Sequence, residues 1–230
     1  MSGYPFGLLI LIVLSILVFF GVFQRVLDRM RVKDSTALLI IAAIIAGSFI
    51  NIPIISGRQE LIINLGGSLI PMAMVVYLWV KAGTNKEKIR SILASIVTAL
   101  ALTVASFFIG MEPGTLVDPL YLFPIIAGLT GYLAGRSRRS AFIAAVFGTT
   151  LYDLAHYVWL LRTGIRGTTH LGGGGTFDSL VIAAIIAVAL AELIGETRER
   201  LQGGPSSEGR DPSLLKNLTS VEGEEGENRD

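Results

Sequence analysis

The chain has 230 residues, 52% of them hydrophobic and 16% charged, with a formal net charge of +1 and a mean hydropathy of +0.65. A soluble domain carries roughly a quarter charged residues, so this composition points to a membrane protein and away from a nucleic-acid partner, which would need a basic patch. There is no cysteine, which excludes disulfides, thiolate catalysis and cysteine-ligated zinc or iron–sulfur sites.

Seven apolar segments follow in chain order, at about 4–24, 35–54, 61–80, 91–110, 118–134, 141–161 and 177–195. Each is near the roughly twenty residues a helix needs to cross a bilayer. The runs are continuous and not alternating, which excludes a membrane barrel. The expected fold is all-α: a multi-pass protein of the cell membrane with seven transmembrane helices. The first segment lacks a basic leader and a small-residue cleavage site, so it reads as a retained span.

Basic residues alternate along the connections. Arg25, Arg29, Arg31 and Lys33 follow segment one. Lys81, Lys86, Lys88 and Arg90 follow segment three, and Arg136, Arg138 and Arg139 follow segment five. The intervening connections are poor in positive charge. The positive-inside rule then predicts an N-terminus outside and a C-terminus in the cytoplasm.

Segment three is atypical. Asn64, Gly66, Gly67 and Pro71 lie in its outer half. Proline removes a backbone donor, and a glycine pair admits a close neighbour. The segment is either a tightly packed kink or a broken helix lining a cavity. Past residue 200 the chain turns rich in Gly, Glu and Ser, which predicts a seven-helix domain over 1–200 and a disordered acidic tail over 201–230.

Two aspartates carry the chemistry. Asp153 sits inside an apolar run as Tyr152-Asp153-Leu154-Ala155-His156, and Asp178 follows the glycines 172–175. A carboxylate inside a membrane segment marks a candidate functional site. Helical spacing puts Thr149, Asp153, His156 and Tyr157 on one face. A buried Asp–His or Asp–Tyr bond between helices would explain that face without chemistry. Glu192, near the cytoplasmic end, is expected to pair with Arg198 or to snorkel. Asp178 could equally lie in the first turn of a helix capped by Thr176, where the helix dipole favours a negative charge. Alternatively, Gly174 and Gly175 let the backbone dip and bring Asp178 to the depth of Asp153.

Tyr152-Asp153 resembles the first motif of the intramembrane aspartyl proteases of the presenilin and signal-peptide-peptidase type. Gly174-Gly175-Thr176-Phe177-Asp178 resembles their Gly-x-Gly-Asp motif loosely, with two residues between glycine and aspartate. Their Pro-Ala-Leu motif is missing. The resemblance implies Asp153 and Asp178 as a catalytic pair. A closer similarity rests on Asn64-x-Gly66-Gly67-x-x-Ile70-Pro71, the Asp153 segment, and Gly172-Gly173-x-Gly175-Thr176-Phe177-Asp178. These resemble the prokaryotic domain-of-unknown-function family sixteen-fourteen over segments two to seven. That likeness implies a polytopic membrane protein and no activity.

Three functions stay open. The chain could be an intramembrane aspartyl hydrolase with Asp153 and Asp178 as its dyad and a membrane-embedded peptide as substrate. It could be a transporter or ion-binding protein holding a small cation or proton at Asn64, Asp153, His156 and Asp178. It could be a non-catalytic membrane scaffold. Tyr152, Gly66, Gly67, Pro71, Gly174 and Gly175 are expected as support in the first two. The lipid bilayer is the expected partner. No P-loop, HExxH or Gly-x-Ser-x-Gly occurs, so no nucleotide, cofactor or metal is expected.

Overall fold

The computed structural model describes residues 34–108, 119–173 and 178–201. The expected segment 4–24 and the expected tail beyond residue 201 lie outside them. The described chain is mostly helical: α1 Asp34–Gly47, α2 Ile70–Val80, α3 Asn85–Phe108, α4 Pro119–Gly135, α5 Arg138–Thr163 and α6 Ser179–Leu201. It divides into two units, Met1–Glu192 and Leu193–Asp230. The first holds every element up to Glu192; of the second, the last turns of α6 are described.

Helix α5 is the centre of the first unit. Ser137 starts it from an extended backbone, its hydroxyl accepting the Ser140 N–H at 3.1 Å. Gly164 ends it in the left-handed conformation, φ 68°, the usual residue for that place. Helix α3 runs parallel to α5: Ser95 lies against Ile143 near their starts, and Tyr152 bonds Ser106 near the other end. Helices α2, α4 and α6 run the opposite way, as the pairs Met72–Thr150, Phe123–Tyr152 and Glu192–Arg138 record. Consecutive helices α2 to α6 therefore alternate in direction.

Two of these helices, Asn85–Phe108 and Arg138–Thr163, are long and apolar enough to cross a membrane. Helix α3 is also inverted relative to a helix on a soluble core. Its buried positions are Ser91, Ala94, Ser95, Thr98 and Leu102. Its exposed positions include Ile89, Leu93, Val97, Leu100 and Val104, with Leu100 59% exposed. Small and hydroxyl groups face the protein and large apolar groups face out, which suits lipid as the surrounding solvent. The buried hydroxyls are satisfied within the helix: Ser95 donates to the Ser91 carbonyl at 2.8 Å, and Thr98 to that of Ala94 at 2.9 Å. Gly148 lets α5 approach this face, since a Cβ there would lie 2.6 Å from Thr98 Cβ.

The all-α expectation is corrected at one end of the bundle. Residues read as the end of segment two and the start of segment three form β1 Asn51–Ile55 and β2 Gln59–Asn64, and β3 Gly167–Leu171 joins them. The strand order is β1-β2-β3, with β1 and β2 antiparallel and β2 and β3 parallel. Pro53 explains why helix α1 cannot continue through β1. It also sits where the β1 register shifts, on an edge strand, where a missing donor is tolerated. The runs Ile62-Ile63 and Thr168-Thr169 are β-branched and suit strands, but runs this short carry no decisive periodicity. The sheet rests on the end of α5, where Leu61, Ile63 and Leu171 pack around Tyr157.

Segment three is thus neither one straight span nor a simple kink. It is strand β2, one π-helical turn Leu65–Leu69, and the eleven-residue helix α2. Pro71 falls in the first turn of α2, where its missing N–H costs little.

Candidate functional site

Asp153 lies on α5, roughly 15 Å short of the helix end at 1.5 Å per residue, and is partly buried. Its neighbour Tyr152 turns into the bundle. The Tyr152 ring meets Phe123 edge-on at 5.5 Å between centroids, and its hydroxyl bonds Ser106.

Asp178 is the N-cap of α6. Its Oδ1 accepts the Leu180 N–H at 2.9 Å, and its carbonyl accepts the Ile182 N–H at 3.1 Å. The cap is therefore Asp178 and not Thr176, which lies outside the described residues, as do Gly174, Gly175 and Phe177. The antiparallel packing of α6 on α5 brings the two aspartates into electrostatic range, and the charge of Asp178 acts on Asp153.

Asn64 has a different role from the one expected of an ion ligand. It is 1% exposed. Its Oδ1 accepts the Gly67 N–H at 2.7 Å, closing the π turn, while its Nδ2 donates to the Ser48 carbonyl at 2.8 Å and to Asn51 Oδ1 at 2.9 Å. Both amide protons and the oxygen are engaged by the chain, and the side chain ties the end of α1 to β1 and the π turn. Gly66 is bound into the same junction. A Cβ on Gly66 would meet the Ile44 carbonyl oxygen at 2.1 Å. Gly67 receives the other glycine motif: a Cβ on Gly172, whose φ is +69°, would lie 2.4 Å from the Gly67 carbonyl carbon. The two motifs singled out in the sequence thus dock backbone on backbone.

His156 is partly buried and stacks on Trp159, one turn along the same helix, at 5.8 Å between ring centroids. Thr149 donates to the Ala145 carbonyl at 2.8 Å, and Tyr157 belongs to the small core under the sheet. The face with Thr149, Asp153, His156 and Tyr157 is therefore divided between packing and the aspartate site. Among the described residues, no group of three or more His, Asp or Glu could hold a metal ion. Glu192 pairs with Arg138 across α6 and α5, because α6 descends beside the start of α5; the side chain of Arg198, its expected partner, lies outside the described ones.

Sequence reasoning overlooked Ser48 and Ser106, which no local pattern marks; Asn51 stands out as a polar residue in the outer half of an apolar segment, but its pairing with Asn64 does not. The partners of Ser48, Asn51 and Ser106 are 16, 13 and 46 positions away, and only packing brings them together.

The sequence profile of one protein family, described as Protein of unknown function (DUF1614), matches residues 18–190. No curated protein and no solved structure matches the chain. The comparisons do not extend the similarity to the intramembrane aspartyl proteases.

Proposed function

The chain belongs to the DUF1614 family, and on that premise we propose that it is a multi-pass protein of the cell membrane whose Asp153 and Asp178 form an acid–base pair that hydrolyses a membrane-embedded peptide. The observation that carries this proposal is the placement of two aspartates on consecutive antiparallel helices, Asp178 at the start of α6 and Asp153 on α5, near enough for the charge of one to act on the other. Two carboxylates sharing a site hold one proton between them. The N–H bond from Leu180 holds the Asp178 carboxyl in place, and in this reading it is the base that takes a proton from water. The water oxygen then adds to the peptide carbonyl while Asp153 gives a proton to the carbonyl oxygen. Collapse of the tetrahedral diol breaks the C–N bond: Asp178 gives its proton to the departing amine nitrogen, Asp153 takes one back from a diol hydroxyl as the carboxylic acid forms, and the pair is restored.

The test uses the purified full chain in liposomes with a photo-crosslinkable peptide mimic bearing a hydroxyl in place of the scissile carbonyl. The mimic should label the wild type, and both Asp153→Asn and Asp178→Asn should abolish labelling while remaining folded and inserted. Labelling that survives both substitutions removes the dyad. A second reading, a proton or small-cation transporter, is favoured by the cap bond that immobilises Asp178. It predicts ion flux in the same liposomes, lost in Asp153→Asn, with no labelling by the mimic.

The orientation has its own test. The chain has no cysteine, so a single introduced thiol reports its own side. With the N-terminus outside, a membrane-impermeant maleimide should label Arg166→Cys in intact cells and Gly83→Cys only after permeabilisation. The reverse pattern inverts the topology.

A further inference from the structure

We propose that Lys81, Lys86 and Arg136, at the end of the bundle away from the sheet, bind the phosphate headgroup of an anionic phospholipid. This rests on the membrane-spanning part of the proposed function and not on the aspartate pair.

The α2–α3 and α4–α5 connections are fastened to each other there. Arg139 Nη1 donates to the Lys81 carbonyl at 3.5 Å, Arg90 Nε to the Ala134 carbonyl at 3.2 Å, and Ser137 Oγ to Glu87 Oε1 at 3.4 Å. Lys86 and Arg136 each precede one partner of that last contact, which puts their backbones at the junction of the two connections. Both are exposed, as is Lys81.

The charge at this end is strongly one-sided. Among the residues whose side chains are described, Glu87 and Glu192 are the acids beside these two connections, and Glu192 is already neutralised by Arg138. Lys88 sits over the Trp79 ring at 5.1 Å. Among the described side chains, Glu87 is the acid that faces the three exposed cations, which leaves a local excess of positive charge.

Arg136 adds an independent sign. Its φ is +58°, and it is the one non-glycine residue with positive φ among the described residues. Its N–H donates to the Tyr132 carbonyl at 2.8 Å. This is the position directly after a helix where glycine is the natural choice. Arginine there carries a backbone cost, so its side chain has a use that offsets the strain.

The ligand is a lipid and not free phosphate because of what lies beside the cations. Val80, Ile89 and Leu133 are exposed next to them, and Trp79 is at the same level. An anion with acyl chains satisfies both surfaces at once. Basic pockets between transmembrane helices on the cytoplasmic side have this chemistry.

The experiment titrates the purified full chain in neutral detergent with phosphatidylglycerol, phosphatidylcholine and inorganic phosphate, following the thermal midpoint. Phosphatidylglycerol should raise the midpoint, and the other two should not. Lys81→Gln with Lys86→Gln should weaken the response, by roughly fivefold in affinity for each cation removed. Arg136→Gly relieves the left-handed strain, so it should fold at least as well as the wild type and still lose roughly fivefold. An equal response to phosphatidylcholine, or a full response in Arg136→Gly and the double variant, overturns the site. An equal response to inorganic phosphate overturns the lipid as ligand. Carbonate extraction separates the premise: release of the chain from membranes defeats the spanning reading, whereas retention without a phosphatidylglycerol response defeats the headgroup site alone.

Discussion

Gly172 lies against Gly67, backbone on backbone, with the Gly172 Cα so close that a Cβ would come within 2.4 Å of the Gly67 carbonyl carbon and 2.5 Å of the Ser68 nitrogen. The contact joins β3 to the π turn at the point where β2 and β3 end their parallel pairing, Ile63 opposite Leu171. It gives Gly172 of one glycine-rich motif and Gly67 of the other a shared geometric need: two chains that cross without side chains between them.

Gly172→Ala should therefore be strongly destabilising. Gly164 supplies the control, because it has nearly the same φ, +68°, but open space around its missing Cβ. Gly164→Ala should cost about 1–2 kcal/mol for the left-handed backbone alone. Gly172→Ala should cost at least about 2 kcal/mol more, because backbone atoms cannot move aside as a flexible side chain can. Unfolding in detergent of the two variants measures the difference. Equal losses would remove the contact from the account.

Asn64→Ala should cost about 3 kcal/mol, since it leaves the Gly67 N–H and the Ser48 carbonyl without their partner at a buried site, at about 1–3 kcal/mol each. Asn51→Ala removes only the exposed end of the same network and should cost about 1 kcal/mol. The order of the two midpoints is the check. If Asn51→Ala is the more damaging, Asn64 does not organise the junction.

Gly148→Ala tests helix packing. Alanine in place of glycine favours a helix interior by about 1 kcal/mol. Here the added carbon would meet Thr98 Cβ at 2.6 Å and the Ser95 carbonyl oxygen at 2.8 Å. Overpacking of this kind costs about 1–3 kcal/mol and should outweigh the propensity. A thermal midpoint below the wild type is expected. One above it would mean that α3 and α5 have room to spare.

The sequence by itself determined the membrane-like helices and their order. Apolar length is a local property, and so are the signals at the ends of α5: Ser137 caps its own helix, and Gly164 turns out of it. The opposite directions of α2 and α3, and of α4 and α5, also follow from their short connections. The two aspartates were legible as a pair of unusual residues, because a carboxylate in an apolar run stands out wherever the chain later takes it.

Only the tertiary structure decided what lies at the far end of the bundle. Ile62 and Ile63 suit a strand by propensity but lie in an apolar run of helix-spanning length, and they become a strand because β3, about a hundred positions later, supplies the parallel partner. Asn64 looked like a polar group available to a ligand until packing brought Ser48 and Asn51 to its amide. Asp178 became the cap of α6, and its charge came to act on Asp153, through the antiparallel docking of α6 on α5. Hydrogen-bond partners and charge proximity belong to pairs of residues. Where those pairs are distant in sequence, the fold has to form before either property exists.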